Sequence, residues 1–179
     1  MILGLDISTS STGWCLVDDL GNLVQMGFID LKKEKSTFKK SVKVKNTLSE
    51  ISNQNNIEKV FIEENLQSFR SGFSSAQTLS TLARFNGIVS YLCFEIFNSE
   101  PEFLNVNSSR KKLGIKVQRE KVCGISTKQQ VLDWVSTCLP GYEWPKKILK
   151  SGPRAGQEVL VPGCYDMADA YVIAVAGSS

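Results

Sequence analysis

The chain of 179 residues contains no histidine. That absence excludes Ser-His-Asp and Cys-His catalysis, and every zinc site built on imidazole. Proton or metal chemistry must therefore rest on carboxylates, Lys, Tyr or Cys. The five cysteines, Cys15, Cys93, Cys123, Cys138 and Cys164, are odd in number and include no CxxC pair. Neither a disulfide framework nor a zinc knuckle is expected, and Cys15 and Cys93, set in apolar runs, read as small core residues. No apolar run approaches the roughly 18 residues of a membrane span. Met1 leads directly into an apolar run, without the charged, apolar, small-residue order of a secretory signal. The expectation is a soluble intracellular protein with no membrane partner. No repeat or low-complexity linker interrupts the chain, and a hydrophobic content of 42% suits one domain over residues 1–179.

Net charge is also small, at +3, but it is unevenly spread. Residues 110–154 carry eleven Lys or Arg against three acids, a local excess of eight that leaves the remainder acidic. A concentrated basic region on a nearly neutral chain points to a polyanionic partner.

Met1–Asp6 is an apolar run ending in an acid. A Ser/Thr-rich turn at 8–12 follows, then strand-like Trp14–Val17, a turn at Asp18–Asn22, and a third strand over Leu23–Ile29. Residues 36–55 predict an amphipathic helix with Phe38, Val42, Leu48 and Ile51 on its apolar side. Lys59–Glu64 predicts a strand that again ends in acids. Residues 71–98 predict the longest helix, with Leu79, Leu82, Phe85, Val89, Leu92 and Ile96 on one face. Gly87 within it implies close packing on the sheet. A fifth strand at Glu102–Val106, a short helix or turn at Asn107–Leu113, and a helix at Lys128–Leu139 follow. Residues 140–163, rich in Pro and Gly, predict a loop or hairpin outside the core. Asp166–Ala176 closes the chain as a buried helix. This order implies an α/β fold: a mixed five-stranded sheet, three antiparallel strands first, with helices on both faces.

Four acids stand out. Asp6 ends the first strand, and Glu63 and Glu64 end the fourth. Asp166 and Asp169 lie three apart, on one face of the last helix. Asp18 and Asp19 read as turn residues. Asp169 is the hardest to treat as ordinary surface charge, because it sits among Met167, Ala168, Ala170, Tyr171, Val172 and Ile173, where an unpaired charge is costly. Converging carboxylates repel one another unless a hard cation neutralises them, and oxygen-only ligation suits Mg²⁺, with Mn²⁺ as a substitute. Such a site can hold two ions about 4 Å apart, one activating water and one stabilising a phosphodiester leaving oxygen.

Three segments resemble the RuvC family of Holliday-junction resolvases, within the RNase H-like superfamily. ILGLDISTSSTGW is similar to that family's first strand and small-residue turn, VFIEENL to the strand with its catalytic Glu, and DMADAYVIA to its closing D-x-x-D helix. The resemblance runs in order along nearly the whole chain. It implies an RNase H-like fold and catalytic metal ligands at Asp6, Glu63, Asp166 and Asp169. It further implies a four-way DNA junction as substrate, a homodimer, and basic residues near the scissile phosphate. Glu63 is preferred to Glu64 because it follows Ile62, as the family's Glu follows a buried residue, and strand alternation turns Glu64 away. Candidate DNA contacts are Arg110, Lys111, Lys112, Lys128, Lys146, Lys147 and Phe69. The family often has an aromatic residue three positions after its Glu. Leu66 stands there in this chain, with Phe69 three further on. Trp144, Lys146, Lys147, Lys150 and Arg154 place stacking and phosphate contacts on the 140–163 excursion.

Alternatives remain open at this level. The same carboxylates suit an RNase H-like nuclease acting on flaps, other branched DNA or RNA–DNA hybrids. A DNA-binding module without catalysis would keep the basic stretch, but would have no use for four acids beside phosphate. Actin-like ATPases and sugar kinases also open with a strand, an Asp and a small-residue phosphate turn, but they need two such domains.

Overall fold

The computed structural model describes residues 1–64 and 76–178. Strands β1 (Ile2–Ile7), β2 (Ser11–Val17) and β3 (Leu23–Asp30) form an antiparallel meander. β4 (Lys59–Glu63) pairs parallel with β1, and β5 (Glu102–Leu104) pairs parallel with β4. The sheet order is therefore β3-β2-β1-β4-β5, the expected mixed five-stranded sheet.

Alternation along the strands divides the core in two. Leu3, Leu5, Ile7, Val60 and Ile62 pack with α1 (Thr37–Gln54) and α2 (Ala76–Phe97) on one face. Ile2, Cys15, Val17 and Phe61 pack on the other, beneath α5 (Thr127–Cys138) and α6 (Gly163–Ser178). Two short helices, α3 (Val106–Lys112) and α4 (Glu120–Cys123), link β5 to α5. The single turn of α4 is too short to leave a periodic signature. The 140–163 excursion is a hairpin of β6 (Lys146–Ile148) and β7 (Glu158–Leu160).

Three expectations need correction. Helix α1 is present, but it buries Ser41, Val44, Leu48 and Ile51 and leaves Phe38 and Val42 exposed. The seam is set by what faces the sheet, and it is offset from the one drawn through Phe38 and Val42. Gly87 does not touch the sheet: an added Cβ would meet nothing within 4 Å, because the glycine lies on the outer side of α2. Trp144 is no free stacking platform, since it packs partly buried against the α5/α6 core, edge-on to Tyr142 with ring centroids 5.1 Å apart.

Helix α6 starts at Gly163, three residues before Asp166, directly after Pro162. A proline ahead of the first turn is a regular helix-start signal, since its missing N–H would have had no intrahelical partner. Two strand glycines let this helix lie low on the sheet. A Cβ at Gly4 would fall 2.5 Å from the Ala170 carbonyl oxygen and the Ala174 amide nitrogen. A Cβ at Gly13 would fall 2.0 Å from the Asp166 carbonyl oxygen. Backbone therefore rests on backbone at two points, with Asp6 between them: it alternates with Gly4 along β1 and pairs in register with Gly13.

Candidate active site

Asp6 and Glu63 reach the same face of the sheet for one reason. Asp6 is two residues from Gly4, and Glu63 is two residues from Phe61, both beneath α6. Helix α6 brings Asp169, which is 5% exposed, and the half-buried Asp166 over this point. Glu64 lies one residue past β4, where its amide donates to the Leu104 carbonyl.

The electrostatics show that these acids share one environment. Burial pushes the Asp6 carboxyl well above the usual range, and the charges of Glu63, Asp169 and Asp166 push the same way against the opposing pull of Lys128. Glu63 is raised by burial and by Asp169, although a hydrogen bond from Asp6, with Arg110 and Lys128, works against the rise. Burial also raises Asp169, and more strongly than Arg110 lowers it. Burial disfavours the Lys128 ammonium, yet Asp166, Asp6 and Asp169 outweigh it and raise Lys128. Burial is the largest cause of all three carboxyl rises, and four acids face two nearby cations here.

Those cations define the present arrangement. Arg110 Nη2 donates to Asp169 Oδ1 at 3.1 Å, with both side chains largely buried, and Arg110 Nε is buried without a partner. Lys128 Nζ stands 3.5 Å from Asp166 Oδ1. Among the described residues, no three Asp, Glu or Cys side chains are arranged to hold an ion as they stand.

The other candidates fall in different places. Lys112 Nζ donates to the Ala176 carbonyl near the end of α6, so it serves the fold. Lys111 is exposed and lines, with Arg110, Lys116 and Arg119, a basic cavity of about 560 Å³. Lys146 pairs with Glu158 across the hairpin at 2.9 Å. Lys147 is exposed and lines a cavity that also includes Lys128 and Asp166. Phe69 and Leu66 lie outside the described residues. Sequence reading missed Gly4 and Gly13, whose signal is small residues flanking an acid in otherwise bulky strands. It also missed that Arg110 turns inward to Asp169, which no local pattern encodes.

A raised carboxyl has a consequence for stability. Below about pH 4 the folded and unfolded forms both hold the Asp6 proton. Above that, the unfolded chain releases it and the folded chain resists, so stability falls as pH rises through this window. Asp6→Asn removes the term. At pH 7 without divalent cations, the variant is expected to be the more stable of the two and to melt at a higher temperature. Its melting temperature should also fall less between pH 5 and 8. Thermal melts across that range check this, and parallel curves for both proteins would count against a strained carboxylate cluster.

The mixed sheet with helices on both faces is the RuvC, RNase H-like fold. Thermus thermophilus RuvC in complex with a Holliday-junction substrate superposes with a TM-score of 0.65 at 16% identity, over 98% of this chain and 90% of that one. T. thermophilus RuvC alone gives 0.61 at 16% identity, covering 98% and 91%. The yeast mitochondrial Holliday junction resolvase Ydc2 gives 0.59 at 15% identity, covering 99% and 77%. No protein-family model matches the sequence, and no curated protein matches it. The likeness to these structures is one of fold.

Proposed function

We propose that this protein is a structure-selective DNA endonuclease that resolves four-way junctions by divalent-metal-dependent phosphodiester hydrolysis. The observation that carries the reading is the convergence of Asp6, Glu63, Asp166 and the buried Asp169 at the α6 side of the sheet, in a fold shared with two resolvases. A set of four carboxyl oxygen donors with only two cations beside it fits Mg²⁺ or Mn²⁺. Asp6, Glu63, Asp166 and Asp169 would hold the metal, which would require the Arg110–Asp169 and Lys128–Asp166 pairs to open. When bound, the metal supplies an activated water and neutralises charge on the phosphate.

The chain's own residues do the remainder. Asp6 and Glu63, fixed on adjacent strands, keep their carboxyls on one side of the sheet. Lys128 sits at the rim, where its charge is available to a phosphate oxygen. Arg110, already inside, offers donors that the Asp169 bond does not use. The basic cavity at Arg110, Lys111, Lys116 and Arg119 provides a track for a DNA arm. Compared on a four-way junction, a flap, a plain duplex and an RNA–DNA hybrid, with Mg²⁺ and with Mn²⁺, the protein should cut the junction fastest. Preference for the hybrid or flap overturns the junction assignment. Binding without any cutting overturns the enzyme.

Two further expectations follow from the same reading. Replacing Lys146, Lys147 and Lys150 together with Ala should weaken junction binding and flatten its salt dependence. The log–log slope is expected to drop by about 2 rather than 3, since each phosphate contact contributes roughly 0.9 and Lys146 is already paired with Glu158. An unchanged slope removes the hairpin from the interface. Symmetric cutting of two strands calls for a homodimer, and the outer side of α2 suits one: Gly87 is open there, and Tyr91 and Phe94 are 61% and 51% exposed. Tyr91→Arg combined with Phe94→Glu should give a monomer by sedimentation, whereas a surviving dimer would move the interface elsewhere.

A further inference from the structure

Beside the carboxylates, on the β3 side of α6, lies a cavity of about 520 Å³. Three lysines from distant parts of the chain line it: Lys32 just after β3, Lys128 on α5 and Lys147 on the hairpin. Phe28 and Tyr165 supply aromatic surface, and Asp166 forms the boundary with the candidate active site. The first residues of α6, preceded by Val161 and Pro162, open onto it. A 16-residue helix brings partial positive charge to that end.

An independent observation points to a ligand. Ser11, 8% exposed, also lines the cavity, and its hydroxyl is buried with no hydrogen-bond partner. It faces the α6 side, two residues before Gly13 on β2. The turn before it is tied down, since Ser8 Oγ accepts from the Ser11 amide at 3.1 Å and donates to the Ser11 carbonyl at 2.6 Å. A buried hydroxyl without a partner is costly unless something completes it. The lining stays positive on balance, with Lys32, Lys128 and Lys147 against Asp30 and Asp166. Asp30 accepts from the Lys32 amide at 3.0 Å, and Asp166 faces Lys128. The hairpin's Glu158 is taken by Lys146, so the Lys147 ammonium is left to the cavity. Tyr165 is held by its hydroxyl bond to Gln129 at 2.9 Å, which fixes its ring.

We propose that this cavity binds a backbone phosphate of the cleaved DNA strand next to the scissile one, with Ser11, Lys32 and Lys147 as its contacts and Phe28 and Tyr165 against the adjoining sugar or base. The hairpin is then a positioning element: Lys147 closes the cavity, and the strand is gripped on one side of the cut. The inference takes its ligand from the resolvase reading. It also gives the 140–163 excursion a role at the reaction centre rather than along a distant arm.

The test uses four-way junctions with one phosphate at a time replaced by a neutral methylphosphonate around the cut. In the unaltered protein, one neutralised position adjoining the cut should slow cleavage about tenfold, the worth of a charged hydrogen-bonded contact. In the Lys32→Ala, Lys147→Ala double variant the rate starts lower, and that same position should lose its effect. Ser11→Ala removes no existing bond, so its melting temperature should be retained while its sensitivity at that position falls. Undiminished sensitivity in the variants at every position overturns the cavity and leaves the nuclease standing. If the unaltered protein cuts nothing, the resolvase reading fails. Lysine acylation footprinting then decides the cavity, with inorganic phosphate and a 5′-phosphorylated oligonucleotide as separate probes. Protection of Lys32 and Lys147 by the oligonucleotide supports a strand phosphate. Protection by inorganic phosphate alone, or none, overturns it.

Discussion

Asp6→Asn is expected to lower junction cleavage by at least about a thousandfold, roughly 4 kcal/mol of barrier, while junction binding is kept or tightened. Asp6 sits where β1 and β4 run side by side, deep under α6 and beside Glu63. Changing it to the amide keeps shape and removes charge. The hard-oxygen donor set loses its central member, so metal-dependent hydrolysis goes. One negative charge facing the phosphate also goes, which favours binding. Single-turnover cleavage and a binding titration in Ca²⁺ separate the two effects. Normal cutting by Asp6→Asn would remove these carboxylates from the chemistry. Equal loss of binding and cutting would recast Asp6 as structural, as would a melting temperature that drops rather than rises.

Gly13→Ala is expected to be nearly as damaging, although no catalytic group changes. The new methyl would meet the Asp166 carbonyl oxygen at 2.0 Å, and neither the backbone of the interior strand β2 nor that of the helix has a side-chain rotation with which to yield. Overpacking usually costs about 1–3 kcal/mol, and backbone-on-backbone contact belongs at or above the top of that range. The accommodation available is for the first turns of α6 to lift. Asp166 and Asp169 then leave Asp6 and Glu63, and the Arg110 pair lengthens. Gly13→Ala should therefore lose activity beyond what its stability explains, measured below its melting temperature where it is still folded. A control on α2, Gly87→Ala made in the Tyr91→Arg, Phe94→Glu background, meets open space within the subunit and should be folded and somewhat more stable, since Gly is roughly 1 kcal/mol worse than Ala inside a helix. If Gly13→Ala is as well tolerated as Gly87→Ala, then the seat of α6 is not what assembles the site.

Much of the fold was legible because alternation within strands and helical spacing are local. The three opening strands, the strand ending in Glu63 and the closing helix all follow from such patterns, as does the burial of Asp169. The errors arose where the pattern allowed more than one face. Phe38 and Val42 are apolar at helical spacing, yet they lie outside the seam that α1 presents to the sheet. Gly87 was read as a packing glycine, but α6 meets strand backbone at Gly4 and Gly13, in strands where a short side chain has no periodic meaning.

The sequence by itself determined the chemistry available. A chain without histidine leaves carboxylates, Lys, Tyr or Cys for such chemistry, and acids at two strand ends with an i, i+3 pair on an apolar helix point to carboxylates around a hard cation. Tertiary structure alone decided who meets whom. It set Glu63 beside Asp6, turned Arg110 inward to Asp169, and gathered Lys32, Lys128 and Lys147 around one cavity from three separate segments. The physical reason is that periodicity records which side of an element is buried. The height and register at which two remote elements meet depend on contacts such as backbone at Gly4 and Gly13, which neither element carries alone.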